Sequence, residues 1–251
     1  MLALERSFPV EAHAAFQAIR TTHFWFASRR AALRDVLARL PIPAGGRTLE
    51  VGCGDGHLLS LLPGSFRIGV DGNVRDLGVA TREGVNAVVA ASCERLPFRS
   101  GFVLICAFDV LEHMADDVGF IRECAALLSM DGRLMLTTPA GPELWSYLDE
   151  YAGHHRRYTR AALRALLEEA GFRVERMFPL FRSLWPLMLI ATRIRRGQRV
   201  TDPTAEYSVG RMANAILRFI LALEWRILGQ AARGRGTSWC VVARRRDSGA
   251  A

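Results

Sequence analysis

The stretch GHHRRY, Gly153 to Tyr158, sets two imidazoles, two guanidiniums and a phenol within six residues. A histidine titrates near neutrality and can take the proton of a hydroxyl. Arg156 and Arg157 offer forked donors suited to a phosphate or carboxylate on a substrate. Tyr158 could orient either group, so His154, His155 and Tyr158 are the catalytic candidates. Trp145, upstream in LWSYLDEY, joins the two arginines as a candidate substrate contact. The same residues admit a second reading, in which Asp149 and Glu150 pair with the arginines and simply tie the loop down.

A second chemical element is rich in glycine. LEVGCGDG spaces Gly52, Gly54 and Gly56 as GxGxG after a short apolar run. Where a strand turns into a helix, backbone N–H groups point at a ligand. A dinucleotide fingerprint needs its third glycine at 57, and His57 stands there. This argues against a nicotinamide-dependent oxidoreductase. Asp71, 21 residues after Glu50, ends another apolar run. A carboxylate there can accept from both hydroxyls of a ribose.

These groups need a scaffold, and the periodicity supplies one. Leu33, Val36, Leu37 and Leu40 predict a helix over about 27 to 40, stopped by Pro41. RTLEVGCG, FRIGVD, NAVVAAS, GFVLICAFD and GRLMLTTP read as five strands. A helix is expected over HLLSLL and another over DDVGFIRECAALLS, the latter with Phe120, Ile121, Cys124 and Leu128 on one face. Thr159 caps a third, with Gly171 just beyond its end. FRVERMF and SWCVVARR add two strands. Strands apolar on both faces, alternating with helices, predict an α/β fold with a doubly wound, seven-stranded, mostly parallel sheet.

Taken in order, LEVGCGDG, Asp71, CERLPF and FDVLEH resemble the class I S-adenosylmethionine-dependent methyltransferases. The resemblance runs over about 23–177 and again over 238–246. HFWFASRR and LWSYLDEYAGHHRRYT resemble two segments of one bacterial subgroup of that family. The resemblance implies S-adenosyl-L-methionine as cofactor and methyl transfer, through oxygen, to a small or lipid-linked acceptor. It implies that Glu50 and the turn Gly52, Cys53, Gly54 and Gly56 border the methionine moiety, and that Asp71 takes the ribose hydroxyls. Gly72 and Asn73 would flank the adenine, with Ser92, Cys93 and Glu94 around its amine. Phe108 and Asp109 would form the floor near the sulfonium, and Arg29 or Arg30 would meet the cofactor carboxylate. His113 would belong to the rim of the cofactor site. Ser92 and Val103 stand where the family often has Asp, and a hydroxyl accepts less strongly than a carboxylate. The alternative in another class is a non-catalytic scaffold that keeps the cofactor fold.

The bulk numbers agree with a packed domain, since 50% of the 251 residues are hydrophobic. Five scattered cysteines without a CxxC spacing support neither a zinc site nor a disulfide framework, and no metal is expected. The N-terminus lacks the apolar core of a signal peptide and no run is long enough to span a membrane, so the expected address is cytoplasmic. The formal charge is +8, and residues 179–236 hold ten Arg against Asp202, Glu206 and Glu224. We read 1–178 with 237–246 as the cofactor domain and 179–236 as a basic helical insertion. Within it Ile216, Phe219, Ile220, Leu223 and Ile227 share one helical face. That face could lie in an anionic membrane interface, peripheral on the inner side, or cover a hydrophobic acceptor. It could equally pack on the sheet or build a homodimer. Nucleic acid is disfavoured, because stacking aromatics among the basic residues are sparse.

Overall fold

The computed structural model describes residues 17, 19–81, 85–194 and 208–246. The middle of the basic insertion, 195–207, lies outside the described residues, as does the N-terminal stretch read for a signal peptide.

Helix α1 spans Phe24–Leu37 and starts earlier than its apolar spacing predicts, because the His23 side chain accepts from the Trp25 N–H and caps it. Strands β1 (Arg47–Val51) and β2 (Phe66–Asp71) follow, then α2 (Val74–Ala80), β3 (Ala87–Ala90) and β4 (Phe102–Phe108). Helix α3 (Asp117–Leu127) leads into β5 (Leu128–Pro139). Next come α4 (Tyr147–Ala152), α5 (Arg160–Glu169) and β6 (Phe172–Leu180). Helices α6 (Trp185–Ile194) and α7 (Arg211–Leu228) precede β7 (Ser238–Arg245).

The seven strands form one sheet in the order β3-β2-β1-β4-β5-β7-β6. Pairing is parallel from β3 through β5, and β7 runs antiparallel to both of its neighbours. Adjacent residues of the central strands face opposite layers. Ile105 packs with Phe120 and Leu163 on one side, while Leu104 and Cys106 pack with Leu33 and Leu37 of α1 on the other. The expected doubly wound sheet is therefore present. Its strand order reverses between β1 and β4, and a crevice opens there beyond the C-terminal strand ends.

Two local expectations are corrected. HLLSLL forms only a 3-10 turn at Leu59–Leu61, because Pro63 holds the preceding Leu62 extended (φ −62, ψ 133). Leu128 belongs to β5 rather than to the preceding helix, its ψ of 142 breaking the helix after Leu127.

In the insertion, α7 packs on α1 through Leu217, Leu221 and Trp225. Trp225 Nε1 donates to Asp35 Oδ2 at 3.1 Å, and Asn214 Oδ1 accepts from the Phe24 N–H at 2.7 Å. Glu224 accepts from the backbone N–H groups of Arg182 (2.8 Å) and Ser183 (2.7 Å). The face singled out in the sequence is turned to solvent instead, with Phe219 at 68% and Ile227 at 69% exposure. No helix among the described residues is long and apolar enough to cross a membrane.

Candidate functional site

The glycine turn follows the last residue of β1. Gly52 (φ +69) is required where it stands, since a Cβ would come within 2.5 Å of Val110 Cγ2. Gly54 (φ +50) differs, because a Cβ there would enter open space. Asp71 clamps the turn from the end of β2. Its Oδ2 accepts from the Gly54 N–H and its Oδ1 from the Asn73 N–H, both at 2.8 Å. One bond to each oxygen leaves lone pairs for further donors.

Beneath the turn, Glu50 is buried and its Oε2 has no hydrogen-bond partner. Burial, then the charges of Asp55 and Asp71, push its carboxyl well above the usual range. Burial likewise pushes the Cys53 thiol up. Cys93 is drawn beside Gly52, Gly72 and Asp71, and burial, with Asp71 adding to it, pushes its thiol up to about 12. Ser92 and Glu94 are exposed, and Ser92 Oγ accepts from the Glu94 N–H at 3.1 Å.

A cavity of about 940 Å³ opens from this turn. That volume lies near the top of the range for small-molecule sites, about 300–1,000 Å³, and leaves room for two ligands. Its lining includes the polar residues Glu50, Arg29, Asp109, His113, Asp149 and His154, and the apolar residues Leu184, Leu187, Met188, Ala191 and Leu217.

Of the residues singled out in the sequence, Arg29, Glu50, Gly52, Cys53, Gly54, Phe108, Asp109, His154 and Arg157 line this cavity. Arg30, Gly56, Asp71, Gly72, Asn73, Ser92, Cys93 and Glu94 stand outside its lining, as do Trp145, His155, Arg156 and Tyr158.

The two neighbouring arginines of α1 diverge. Arg29 is buried and its guanidinium bonds both Asp109 and Thr137, while its Nε has no partner. Arg30 turns the other way, to the His57 carbonyl and to Ser60 Oγ at 3.4 Å. Asp109 adopts φ +55, rare for a residue with a side chain. Its backbone N–H donates to the Thr137 carbonyl (2.9 Å), and the Arg29 ion pair holds its carboxylate.

GHHRRY separates into parts with different surroundings. Ser146 and Asp149 form a capping box at the start of α4, and Gly153 ends that helix in the left-handed region (φ 74). The chain then returns so that His154 Nδ1 meets Asp149 Oδ1 at 2.8 Å. Arg157 Nε donates to the same oxygen at 2.7 Å. Burial pushes the Asp149 carboxyl up, but the bonds from His154 and Arg157 outweigh it and hold it below the ordinary range. His155 is exposed, and its backbone N–H donates to the Glu112 carbonyl at 2.8 Å. Arg156 pairs with Asp117 Oδ2 (2.8 Å) and donates to the Ala115 carbonyl (2.9 Å). Tyr158 is buried and its hydroxyl donates to the same Asp117 oxygen at 2.8 Å. Burial and Asp117 push its phenol well up, so it is not placed to exchange a proton with a ligand. Trp145 points its Nε1 at Glu150 Oε1 (3.4 Å), outside the cavity.

Two residues of the site were not read from the sequence in their present roles. Glu112 is fully buried with Oε1 unpartnered, and burial pushes its carboxyl well up. Donor atoms of Glu112, His113 and His154 lie within 4.8 Å of one another. Asp149 stood in the sequence as a partner for arginine, and the structure makes it the pivot of the loop. The capping-box pattern SxxD at 146–149 was the available signal.

The site fits an adenosyl sulfonium cofactor on three observations. Space is open beside Gly54, Asp71 retains acceptor capacity at the end of β2, and Glu50 Oε2 and Arg29 Nε are buried without partners. Comparison with known proteins agrees. A family described as a methyltransferase domain matches residues 25–176. The probable S-adenosylmethionine-dependent methyltransferase of Mycolicibacterium smegmatis is 27% identical over 194 residues, 71% of either chain. The ubiquinone biosynthesis O-methyltransferase of Xanthomonas axonopodis pv. citri is 30% identical over 181 residues, covering 61% of this chain and 73% of that one. In fold, the chain is similar to magnesium protoporphyrin IX methyltransferase from Synechocystis PCC 6803 with bound SAH, at a TM-score of 0.59 and 16% identity over 95% of this chain and 96% of that one. The chain belongs to the methyltransferase-domain family and is a class I S-adenosylmethionine-dependent methyltransferase.

Proposed function

We propose that the chain methylates an oxygen of a small or lipid-linked acceptor, with His154 as the base that removes the acceptor's proton. The observation that carries this is the 2.8 Å contact between His154 Nδ1 and Asp149. The Asp149 carboxylate can only accept, so Nδ1 carries the hydrogen, and in the neutral ring Nε2 is then the acceptor. Nε2 makes no hydrogen bond among the described residues, standing 4.0 Å from Glu112 Oε1, and His154 lines the cavity. The cofactor supplies an electrophilic methyl group on a positively charged sulfur. What the protein adds is position and proton removal. Glu50, Asp71 and the Gly52–Gly54 backbone hold one ligand, Asp109 and Arg29 form the floor, and His154 faces the second ligand.

The apolar residues in the cavity's lining suit an acceptor with a hydrocarbon part, and the Xanthomonas relative, named an O-methyltransferase, supports oxygen. Arg157 lines the cavity, but its bond to Asp149 makes it a positioning residue first. Trp145, His155, Arg156 and Tyr158 lie outside the cavity, and in this reading they shape the loop. In this reading the enzyme works in the cytoplasm, peripheral to the membrane.

The test is incubation with cofactor labelled on its methyl group and a bacterial lipid extract. Base-stable label in the organic phase, lost in His154→Ala, is the expected result. Label on an amine only, or none, would refute oxygen transfer to a lipid. A rate abolished by chelation and restored by a divalent cation would replace the base with a cation held by Glu112, His113 and His154.

A further inference from the structure

We propose that α6 and α7 dock on the surface of an anionic lipid bilayer. Helix α7 carries two apolar faces, and among the described residues only the one bearing Leu217, Leu221 and Trp225 packs on the rest of the protein. The other bears Ile216, Phe219, Leu223 and Ile227, which are 44–69% exposed. No residue of α6 is fully buried, and Leu187, Ile190 and Ile194 are 55–73% exposed. An apolar face this large on a folded chain marks a contact surface.

Charge selects the occupant. Arg193, Arg211, Arg218 and Arg226 are exposed and make no ion pair among the described residues. On a helical projection Arg226 falls beside Phe219 at the edge of the apolar stripe, while Arg211 and Arg218 fall on the side away from Ile216, Leu223 and Ile227. An apolar stripe with unpaired cations off its edge is the pattern of a helix lying in a lipid interface. Its side chains enter the acyl boundary while the arginines reach lipid phosphates. A second copy of the chain fits less well, since a two-fold contact would bring the same cations together.

The face also borders the site. Leu187, Met188 and Ala191 of α6 and Leu217 of α7 line the cavity that holds His154. A lipid-linked hydroxyl could then pass from the bilayer to Nε2 without crossing water. This last step rests on the acceptor proposed above, whereas the docking does not.

Co-sedimentation of the full chain with vesicles tests the docking. One set is phosphatidylcholine alone and the other also contains phosphatidylglycerol. The chain should pellet with the anionic set and be released by salt. Phe219→Ser with Ile227→Ser should abolish pelleting. Neutralising Arg218 or Arg226 to Gln should weaken it about fivefold each. All four positions are solvent-exposed, so the variants should fold and bind cofactor as the parent does. A parent that stays in the supernatant with both sets would overturn the proposal. So would equal binding to both, or light scattering that shows a dimer dissolved by the serine pair. Docking without methylation of any lipid would leave this inference standing and remove the acceptor reading.

Discussion

His154 Nδ1 and Asp149 Oδ1 face each other at 2.8 Å across the left-handed Gly153, which folds the residue after α4 back onto its first turn. The carboxylate is itself fixed, because Asp149 Oδ2 accepts from the Ser146 N–H at 2.9 Å. Two adjacent histidines thus receive different environments from one glycine.

His154→Ala should lower kcat by about 10²–10⁴, the usual span for loss of a positioned base, with little change in cofactor Kd. His155→Ala should stay within a few-fold of the parent. Steady-state rates beside calorimetric titration of S-adenosylhomocysteine make the comparison. Equal losses in both variants would mean that the loop acts as a unit and that neither imidazole is the base.

Asp149→Asn should lower both rate and stability, the latter by about 1–3 kcal/mol near neutral pH, because the charged acceptor of the bonds from His154, Arg157 and Ser146 is lost. The folded carboxyl titrates below its unfolded value. Its contribution is therefore complete above about pH 3.9 and is lost as pH falls through the folded pKa. Urea unfolding at pH 7 and pH 3 should show the gap between parent and variant closing in acid.

Asp71→Ala should weaken cofactor binding by about 1–3 kcal/mol. The change removes the acceptor for ribose and frees the N–H groups of Gly54 and Asn73 that shape the turn. An unaltered dissociation constant in a folded variant would count against the cofactor placement.

Gly54→Val should abolish cofactor binding while the fold persists. A Cβ there meets no other protein atom within 4 Å, so the branched side chain would extend into ligand space, and φ +50 adds strain of about 1–2 kcal/mol. Circular dichroism should stay near the parent spectrum while the titration heat disappears.

His113 gives a pH signature of its own. Burial, then the neighbouring His154, lower its pKa to about 4. The unfolded chain binds this proton from about pH 6.5 downward and the folded chain only near 4. Stability from this group is thus full above pH 6.5 and falls toward pH 4, by at most about 3 kcal/mol. His113→Gln should flatten that part of a stability–pH curve.

Much of the fold was legible because parallel strands buried on both faces read as apolar runs, and because Thr159, Gly171 and the glycine turn punctuate them. Asp71 was legible from its place at a strand end. The helix expected after the glycine turn was not found, since apolar spacing cannot register the effect of Pro63 on Leu62. Nor could spacing choose between His154 and His155, because neighbours in a loop have no period. That choice depends on φ at Gly153 and on the short helix α4. The amphipathic reading of α7 identified an apolar face, but a helix apolar on two sides does not say which one meets α1.

The place of β7 in the sheet sets an order of events during synthesis. It leaves the ribosome after both of the strands it joins, yet it lies between them. Until it arrives, the edges of β5 and β6 that it will join have no partner, while β1 to β4 can already pair. The GHHRRY loop waits as well, since the Tyr158 carbonyl accepts from Trp239 Nε1 of β7 at 2.9 Å. A chain stopped before Ser238 could thus hold its glycine turn and still lack the wall that carries His154. A nascent chain, or one clipped before Ser238, would expose two sheet edges at once, so the arrival of β7 is what completes the sheet.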